Sequence, residues 1–388
     1  MKLGIVLDNK VNKWALQRFE PLKEHIDIKV FVGERNDYDV SYIDLNKKFL
    51  THSEEILLAL KGIKTAYKRV LRAPYKKLDF YYFSLKKYLS GMDIIYSCDI
   101  TRSAYTLASL KDSLNFKFLL SWWENIPFRA VFDDRTNFQK KYVMSKVDMF
   151  LPFTEMAKRV LEIEGVEKNK IAVIYPGVDT ERFKPGDKPK TLMSKYNIDE
   201  DCFVILYVGK LVSWKGVHNL IYLAKILTNK GFKNFVIAVA GRGAQKENMI
   251  KLIKESKTEE NFRFLDFISY EEMPDVYRIS DLFILPSYPI MTWQEQFGMV
   301  LIEAMATGKP IISTMSGAIP EVVGNAGILI PPGDFFALTN AVVDLIENSN
   351  LRDTLGKIGR ERVEKLFNAS QNAYKFFNLL HEIMERRK

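Results

Sequence analysis

WQEQFGMVLIEAMATGKPIISTMSGAIPEVV, Trp293 to Val323, sets two carboxylates eight residues apart, Glu295 and Glu303, with Phe297 and Gly298 between them and a Gly308-Lys309-Pro310 stop behind them. The apolar run Met299 to Ala306 predicts a short buried helix: Gly298 opens it, Gly308 follows its end, and Pro310 cannot continue it. An ionised Glu303 inside such a helix costs several kcal/mol to bury unless something hydrogen-bonds it. Hydroxyl groups of a sugar or a ribose would serve, because a carboxylate accepts two oriented O–H bonds at once. The free N–H groups of Gly298, Met299 and Val300 at the same helix start suit phosphate oxygens.

Outward from this stretch, apolar runs at Phe203 to Val208, Phe235 to Ala240, Asn261 to Phe267, Leu282 to Pro286, Pro310 to Thr314 and Ile328 to Ile330 alternate with helical patterns. This is the spacing of a parallel, doubly wound α/β sheet, in which ligands gather at the carboxyl ends of strands. The first run is followed by GKLVSWKG, where a glycine closes the strand and a helix is expected near Gly216, so Lys210 and Lys215 fall at that carboxyl end. Two ammonium groups there suit an anionic ligand such as a phosphate group. After the second run, Gly241 and Gly243 make a G-x-G, but Lys246 stands where a dinucleotide fingerprint needs its third glycine. Beyond Asp334 the pattern is all helix, ending in a stripe of Phe376, Phe377, Leu380, Ile383 and Met384 above a basic end, Arg386 to Lys388.

The first half alternates in the same way, with strands expected at Lys2 to Leu7, Ile28 to Val32, Asp93 to Ser97, Phe116 to Ser121, Met149 to Pro152 and Ile171 to Tyr175. Helices are expected over Trp14, Leu16, Phe19 and Leu22, over Arg102 to Leu114, and over Thr154 to Ile163. SWWENIP, Ser121 to Pro127, stands at a strand's carboxyl end, where Trp122, Glu124 and Asn125 offer aromatic faces and polar groups to a sugar or serve as an ordinary loop anchor. Between Glu34 and Ser90 the chain fits no short crossover. There ILLALKGIKTAYKRVLRAPYKKLDFYYFSLKKYL mixes Lys and Arg with Tyr and Phe, which suits either an anionic lipid surface or a solvated helical face. The pair Asp133-Asp134 reads as a helix start. Ile171 to Lys190 runs into a Pro/Gly/Lys-rich connector, which puts a domain boundary near residue 186.

Composition narrows the classes. A chain of 388 residues suggests two or three domains at about 150 residues each. It is 47% hydrophobic and can bury sizeable cores, yet no run reaches the roughly 18 apolar residues of a membrane span, and its first residues look like a strand and helix, not a cleaved signal. A cytoplasmic location is expected. Cys98 and Cys202 imply no disulfide framework, and the four histidines, His25, His52, His218 and His381, give no zinc spacing, so no structural metal is expected. The net charge of +9 favours an anionic partner. No RNA-reading or zinc-finger signature accompanies it, and nucleic acid is not expected.

Residues 295 to 310 match E-x-F-G-x(4)-E-A-M-A-x-G-x-P at every fixed position. That motif resembles the retaining, nucleotide-sugar-dependent glycosyltransferases of family four, and the likeness continues through most of the C-terminal half. PGVDTERFKP, Pro176 to Pro185, is similar to that family's hinge, N-G-V-D-x(3)-F-x-P, with Pro176 in place of the Asn. Lys210 stands where the family usually has Arg, which keeps the charge and loses the bidentate fork. The first loop, DNKVNKW, lacks the family's usual glycine pair, which leaves Asn12, Lys13 and Trp14 to face an acceptor.

The resemblance implies the GT-B fold: two Rossmann-like domains facing across a cleft, residues 1–186 for the acceptor and 187–368 for the nucleotide sugar, with a last helix at about 369–388 crossing back to the first. It implies that Glu303 holds ribose hydroxyls and Glu295 sugar hydroxyls, that Phe297, Gly298, Met299 and Val300 meet the sugar and phosphate through backbone N–H groups, and that Lys210 and Lys215 hold the diphosphate. Glu295, Lys210 and Lys215 are then the catalytic candidates, and Trp14, Trp122, Glu124 and Asn125 the acceptor candidates. The implied reaction is metal-independent hexosyl transfer from a UDP- or GDP-linked sugar to a lipid-linked or glycan acceptor in cell-surface glycan or glycolipid synthesis, at the cytoplasmic membrane face and without a cofactor. No side chain announces itself as a nucleophile. The alternatives are a GT-B epimerase or phosphorylase, and a non-catalytic basic protein binding membrane or nucleic acid.

Overall fold

The computed structural model describes residues 1–7, 11–34, 36, 38–51, 84–98, 102–132 and 134–385, apart from the side chains of Trp14, Arg102, Phe132 and Arg135. The chain divides into two compact units, Met1–Tyr175 with Ser370–Lys388, and Pro176–Ala369.

The first unit is a six-stranded parallel sheet built from β1 Lys2–Val6, β2 Asp27–Gly33, β3 Asn46–Leu50, β4 Ile94–Cys98, β5 Lys117–Trp122 and β6 Met149–Pro152, in the order β3-β2-β1-β4-β5-β6. Its helices are α1 Lys13–Leu16, α2 Leu85–Leu89, α3 Arg102–Leu114, α4 Asp134–Lys146 and α5 Glu155–Ile163. Successive strand residues face opposite sides, as the pleat requires. Ile5, Val30, Tyr96, Leu119 and Leu151 line one core, and Val6, Phe31, Ile95, Leu120 and Phe150 the other.

The second unit repeats the plan with β7 Phe203–Val208, β8 Phe235–Ala240, β9 Phe262–Asp266, β10 Leu282–Leu285, β11 Ile311–Thr314 and β12 Gly327–Ile330, ordered β12-β11-β10-β7-β8-β9. Its helices are α6 Lys190–Lys195, α7 Asn219–Asn229, α8 Lys246–Ser256, α9 Met273–Arg278, α10 Met299–Ala306, α11 Ile319–Val323, α12 Phe335–Glu347 and α13 Ser349–Leu366. Renumbered within each unit, both sheets have the doubly wound order 3-2-1-4-5-6. Most of their strands are continuous apolar runs because helices cover both faces, the edge strands β3, NKKFL, and β9, FRFLD, being the exceptions. The last helix, α14 Ala369–Glu385, sets Ala373, Phe376, Leu380 and Ile383 into the first unit's core, with Phe377 and Met384 partly buried beside them.

Four expectations need correction. The boundary falls at Tyr175/Pro176, not near 186, because the connector folds onto the second unit. Val178 N–H donates to the Phe367 carbonyl at 2.8 Å, and the Arg360 guanidinium donates to the Thr180 and Phe183 carbonyls at 3.0 and 2.7 Å. Ile171 to Tyr175 is not a strand; it is extended chain with a single bridge, Ile171 to Phe150. The helix expected from Trp14 to Leu22 is only α1 followed by a 3₁₀ turn at Glu20–Leu22, since Pro21 supplies no N–H to continue an α-helix. Near Gly216 there is a 3₁₀ turn, Ser213–Lys215, and α7 starts later, at Asn219.

β3 was not anticipated. The basic aromatic segment lies outside the described residues from 52 to 83, as do Asp133 and Arg386 to Lys388, while Asp134 opens α4. Among the described residues neither Cys98 nor Cys202 forms a disulfide. Among the described residues no helix is long and apolar enough to cross a membrane.

Candidate functional site

In the second unit β7 pairs with β8 on one side and β10 on the other, so the order reverses between β7 and β10. Loops leaving such a switch point diverge and leave a crevice at the strands' carboxyl ends. The loop after β7 carries Lys215, and the loop after β10 carries Ser287, Trp293 and Glu295.

Backbone contacts lock these loops together. Tyr288 N–H donates to the Trp214 carbonyl at 3.0 Å. Gly216, at φ 72°, packs so closely that a Cβ there would stand 1.9 Å from the Pro286 carbonyl oxygen, and only glycine fits. This register brings Lys215 Nζ to 2.6 Å from Glu295 Oε2, which also accepts from Ser287 Oγ at 3.1 Å. The ammonium sits 4.9 Å from the centre of the Trp293 ring, within cation–π range. Glu295 is 5% exposed and Lys215 half-buried, so the charges compensate each other where water is scarce.

Eight residues on, Gly298 takes φ 84°, a left-handed turn that aims the start of α10. No side chain caps this helix, and among the described residues no acceptor meets the N–H groups of Gly298, Met299 and Val300. Such a start is a ready anion site. One turn along α10 lies Glu303, 6% exposed, whose Oε2 accepts from Tyr277 Oη at 2.7 Å. Burial pushes the Glu303 carboxyl up to about 7, although the Tyr277 bond and the charge of Arg182 favour ionisation. Burial, and then the charge of Glu303, hold the Tyr277 phenol well above its ordinary value. Past β11, Ser316 Oγ is buried without a hydrogen-bond partner among the described residues. The next residue, Gly317 at φ 57°, lies against Glu295, whose carbonyl accepts from Ala318 N–H at 2.8 Å.

The structure therefore gathers Lys215, Glu295, Ser287, Trp293 and the turn before Ala318 into one cluster. Lys210 is exposed and contributes its carbonyl to Tyr207 Oη at 2.9 Å. The Phe297 ring is buried edge-on to Phe367 at 5.6 Å, a packing contact. Of the acceptor candidates in the first unit, Trp122 is a core residue, 1% exposed, whose indole N–H donates to the Glu124 carbonyl at 3.1 Å; its place in a sugar-binding surface is withdrawn. The Glu124 carboxylate holds its own loop, accepting from Ile126 N–H at 3.1 Å and from Arg129 at 3.0 Å. Asn125 is buried, and Trp14 lies in α1 with its side chain outside the description. Ser287, Tyr277, Trp293 and Ser316 were not singled out from sequence. Among the described residues no group of three or more His, Cys, Asp or Glu could hold a metal ion.

Residues 189–362 match the family model described as glycosyl transferases group 1. The capsular polysaccharide biosynthesis glycosyltransferase CapM of Staphylococcus aureus is 32% identical over 247 residues, 59% of this chain and 61% of that protein. The D-inositol 3-phosphate glycosyltransferase of Mycolicibacterium smegmatis is 26% identical over 253 residues, 64% of this chain and 54% of that one. The chain thus spans about half to three-fifths of the length of the curated relatives it matches. Among solved structures, Anabaena HepE in complex with UDP superposes with a TM-score of 0.77 at 17% identity, covering 98% of this chain and 100% of that one. Sucrose-phosphate synthase from Thermosynechococcus elongatus gives 0.74 at 20% identity, with 100% of both chains covered. At these identities the likeness is one of fold, and the fold is GT-B.

Proposed function

We propose that the chain is a group 1 glycosyltransferase that moves a hexose from a UDP- or GDP-linked donor to a lipid-linked or glycan acceptor, with retention at the anomeric carbon. The observation that carries this reading is the Lys215–Glu295 contact at the switch point, beside the uncapped start of α10 and within the stretch matched by the family model. Lys215 and Lys210 would offset the diphosphate, the N–H groups of Gly298 to Val300 would meet phosphate and sugar oxygens, and Glu303 would take the ribose hydroxyls. Glu295, fixed by two hydrogen bonds, would hold sugar hydroxyls. In the transfer the anomeric C–O bond to phosphate breaks and its electron pair leaves with the diphosphate. The acceptor hydroxyl then bonds to the same face of the sugar and gives its proton to the departing phosphate oxygen.

With lysines at the diphosphate, a divalent cation is not required in this reading. The test is a thermal-shift screen of nucleotide diphosphates and their sugars, followed by turnover of the best donor with and without EDTA. A ligand at 100 times its dissociation constant stabilises by about 2.7 kcal/mol. UDP or GDP should raise the midpoint, and donor turnover should survive chelation. No stabilisation by any nucleotide diphosphate would overturn the donor, and activity lost in EDTA and restored by manganese or magnesium would overturn metal independence.

A further inference from the structure

Arg18 of the first unit is 3% exposed and forms no ion pair among the described residues. Its Nη2 donates to Tyr96 Oη and, at 3.3 Å, to Ser121 Oγ, while Nε and Nη1 are buried with no acceptor among the described residues. The rings of Phe19, Tyr96, Phe153 and Phe376 surround the guanidinium carbon at 4.9 to 5.6 Å. Aromatic faces favour a cation there but accept no hydrogen bond in the guanidinium plane. Buried donors are almost always satisfied, and a buried charge without a counter-charge is strongly unfavourable. A packing role leaves both costs unexplained, since an apolar side chain of similar length would fill the same aromatic cage.

The location supplies the missing partner. Ser121 is the next-to-last residue of β5, paired with Cys98 at the end of β4, and Phe153 directly follows β6. Arg18 thus stands at the carboxyl end of the sheet, where doubly wound domains receive their ligands. We propose that Arg18 receives an oxyanion, a phosphate or carboxylate group carried by the molecule that the first unit binds. Nε and Nη1 then gain charge-assisted acceptors and the buried charge is neutralised. The site stands on the first unit alone; only equating its ligand with the acceptor rests on the transfer reading.

The experiment is a titration of the full chain with inorganic phosphate at constant ionic strength, followed by thermal unfolding and calorimetry, for wild type, Arg18→Met, Arg18→Lys, Lys215→Met and the double variant of Arg18→Met with Lys215→Met. Phosphate should raise the wild-type midpoint; the rise should fall in Arg18→Met, persist in Lys215→Met in the part that Arg18 supplies, and vanish only when both residues are changed. Without phosphate, Arg18→Met should be at least as stable as wild type, because it removes an uncompensated buried charge. Arg18→Lys, which keeps the charge and loses the fork, should bind phosphate about tenfold or more weakly. No wild-type response, an equal response in Arg18→Met, or phosphate affinity unchanged in Arg18→Lys overturns the site, as does a phosphate-free loss of stability in Arg18→Met. Glycerol 3-phosphate and glucuronate separate the two sources of the anion. Tighter binding than inorganic phosphate assigns a carried group, and a response to inorganic phosphate alone overturns it. None of these readouts needs a donor, so failure here is distinct from failure of the transfer reading.

Discussion

Glu303 pays for its position when no ligand is bound. Its carboxyl has an ordinary value of 4.5 and in the fold is pushed up to about 7, mainly by burial. Between those values the folded state holds a proton that the unfolded state has lost, so this residue's contribution to stability is complete below the unfolded value and falls away as pH rises through the folded one. Wild type should therefore lose about 2–3 kcal/mol between pH 5 and pH 8 relative to Glu303→Gln, read as the difference in urea unfolding free energy. In the proposed reading ribose hydroxyls donate to Glu303, and they bond its ionised form more strongly, so nucleotide diphosphate affinity should rise over the same range in wild type more than in Glu303→Gln, a comparison that cancels titration of the phosphate. The two glutamates should also part company in calorimetry. Glu295→Gln should keep nucleotide diphosphate affinity and lose most turnover, whereas Glu303→Gln should lose one or two charge-assisted bonds, about 1.5–3 kcal/mol each. Equal weakening would show that the roles are wrongly divided.

The loops that present these side chains depend on glycines. A methyl at Gly216 would meet the Pro286 carbonyl oxygen at 1.9 Å, and one at Gly317 would meet the Glu295 carbonyl oxygen at 2.1 Å, both at positive φ. Gly216→Ala and Gly317→Ala should each cost at least about 1–3 kcal/mol from the backbone conformation alone. Because they spread the Lys215 and Glu295 loops, they should also lower turnover more than they lower overall helix content. Urea midpoints, circular dichroism and donor hydrolysis test this; full activity in either variant would mean that the loops move independently of the chemistry. The helix α10 was legible because its signals are local: an opening glycine, an apolar run and a proline stop. The buried strands were legible because parallel sheets covered on both faces read as apolar runs. β3, NKKFL, was not, since an exposed edge strand rich in lysine carries no such run. Trp122 was misjudged because the aromatic pair at the strand end reads alike in sequence, whereas the pleat sends Trp122 into the core. Tyr277 and Ser287 gave no signal, because the hydroxyl that matters is chosen by packing against residues 26 and 8 positions away.

The whole chain repeats one doubly wound plan in two units, and its charge is unevenly explained by them. The donor reading uses Lys210 and Lys215, and the oxyanion proposal uses Arg18, a small part of a net charge of +9. The stretch from Tyr67 to Leu89 concentrates much of the remainder with Tyr and Phe, and the five cations considered next, Lys68, Arg69, Arg72, Lys76 and Lys77, lie outside the described residues. An acceptor held in a membrane would give that composition a use, since each Lys or Arg near an anionic bilayer contributes about 1 kcal/mol. Four or five engaged together would give reversible attachment, and screening would weaken it as salt rises. The full chain should therefore co-sediment with phosphatidylserine-containing vesicles at low salt, release at high salt, and ignore neutral vesicles. Changing those five residues to Ser should abolish co-sedimentation while leaving nucleotide diphosphate binding intact, because the donor candidates belong to the second unit. Indifference of the wild type to anionic lipid, or undiminished binding after the five changes, would return the stretch to a solvated face and make a soluble glycan the better acceptor.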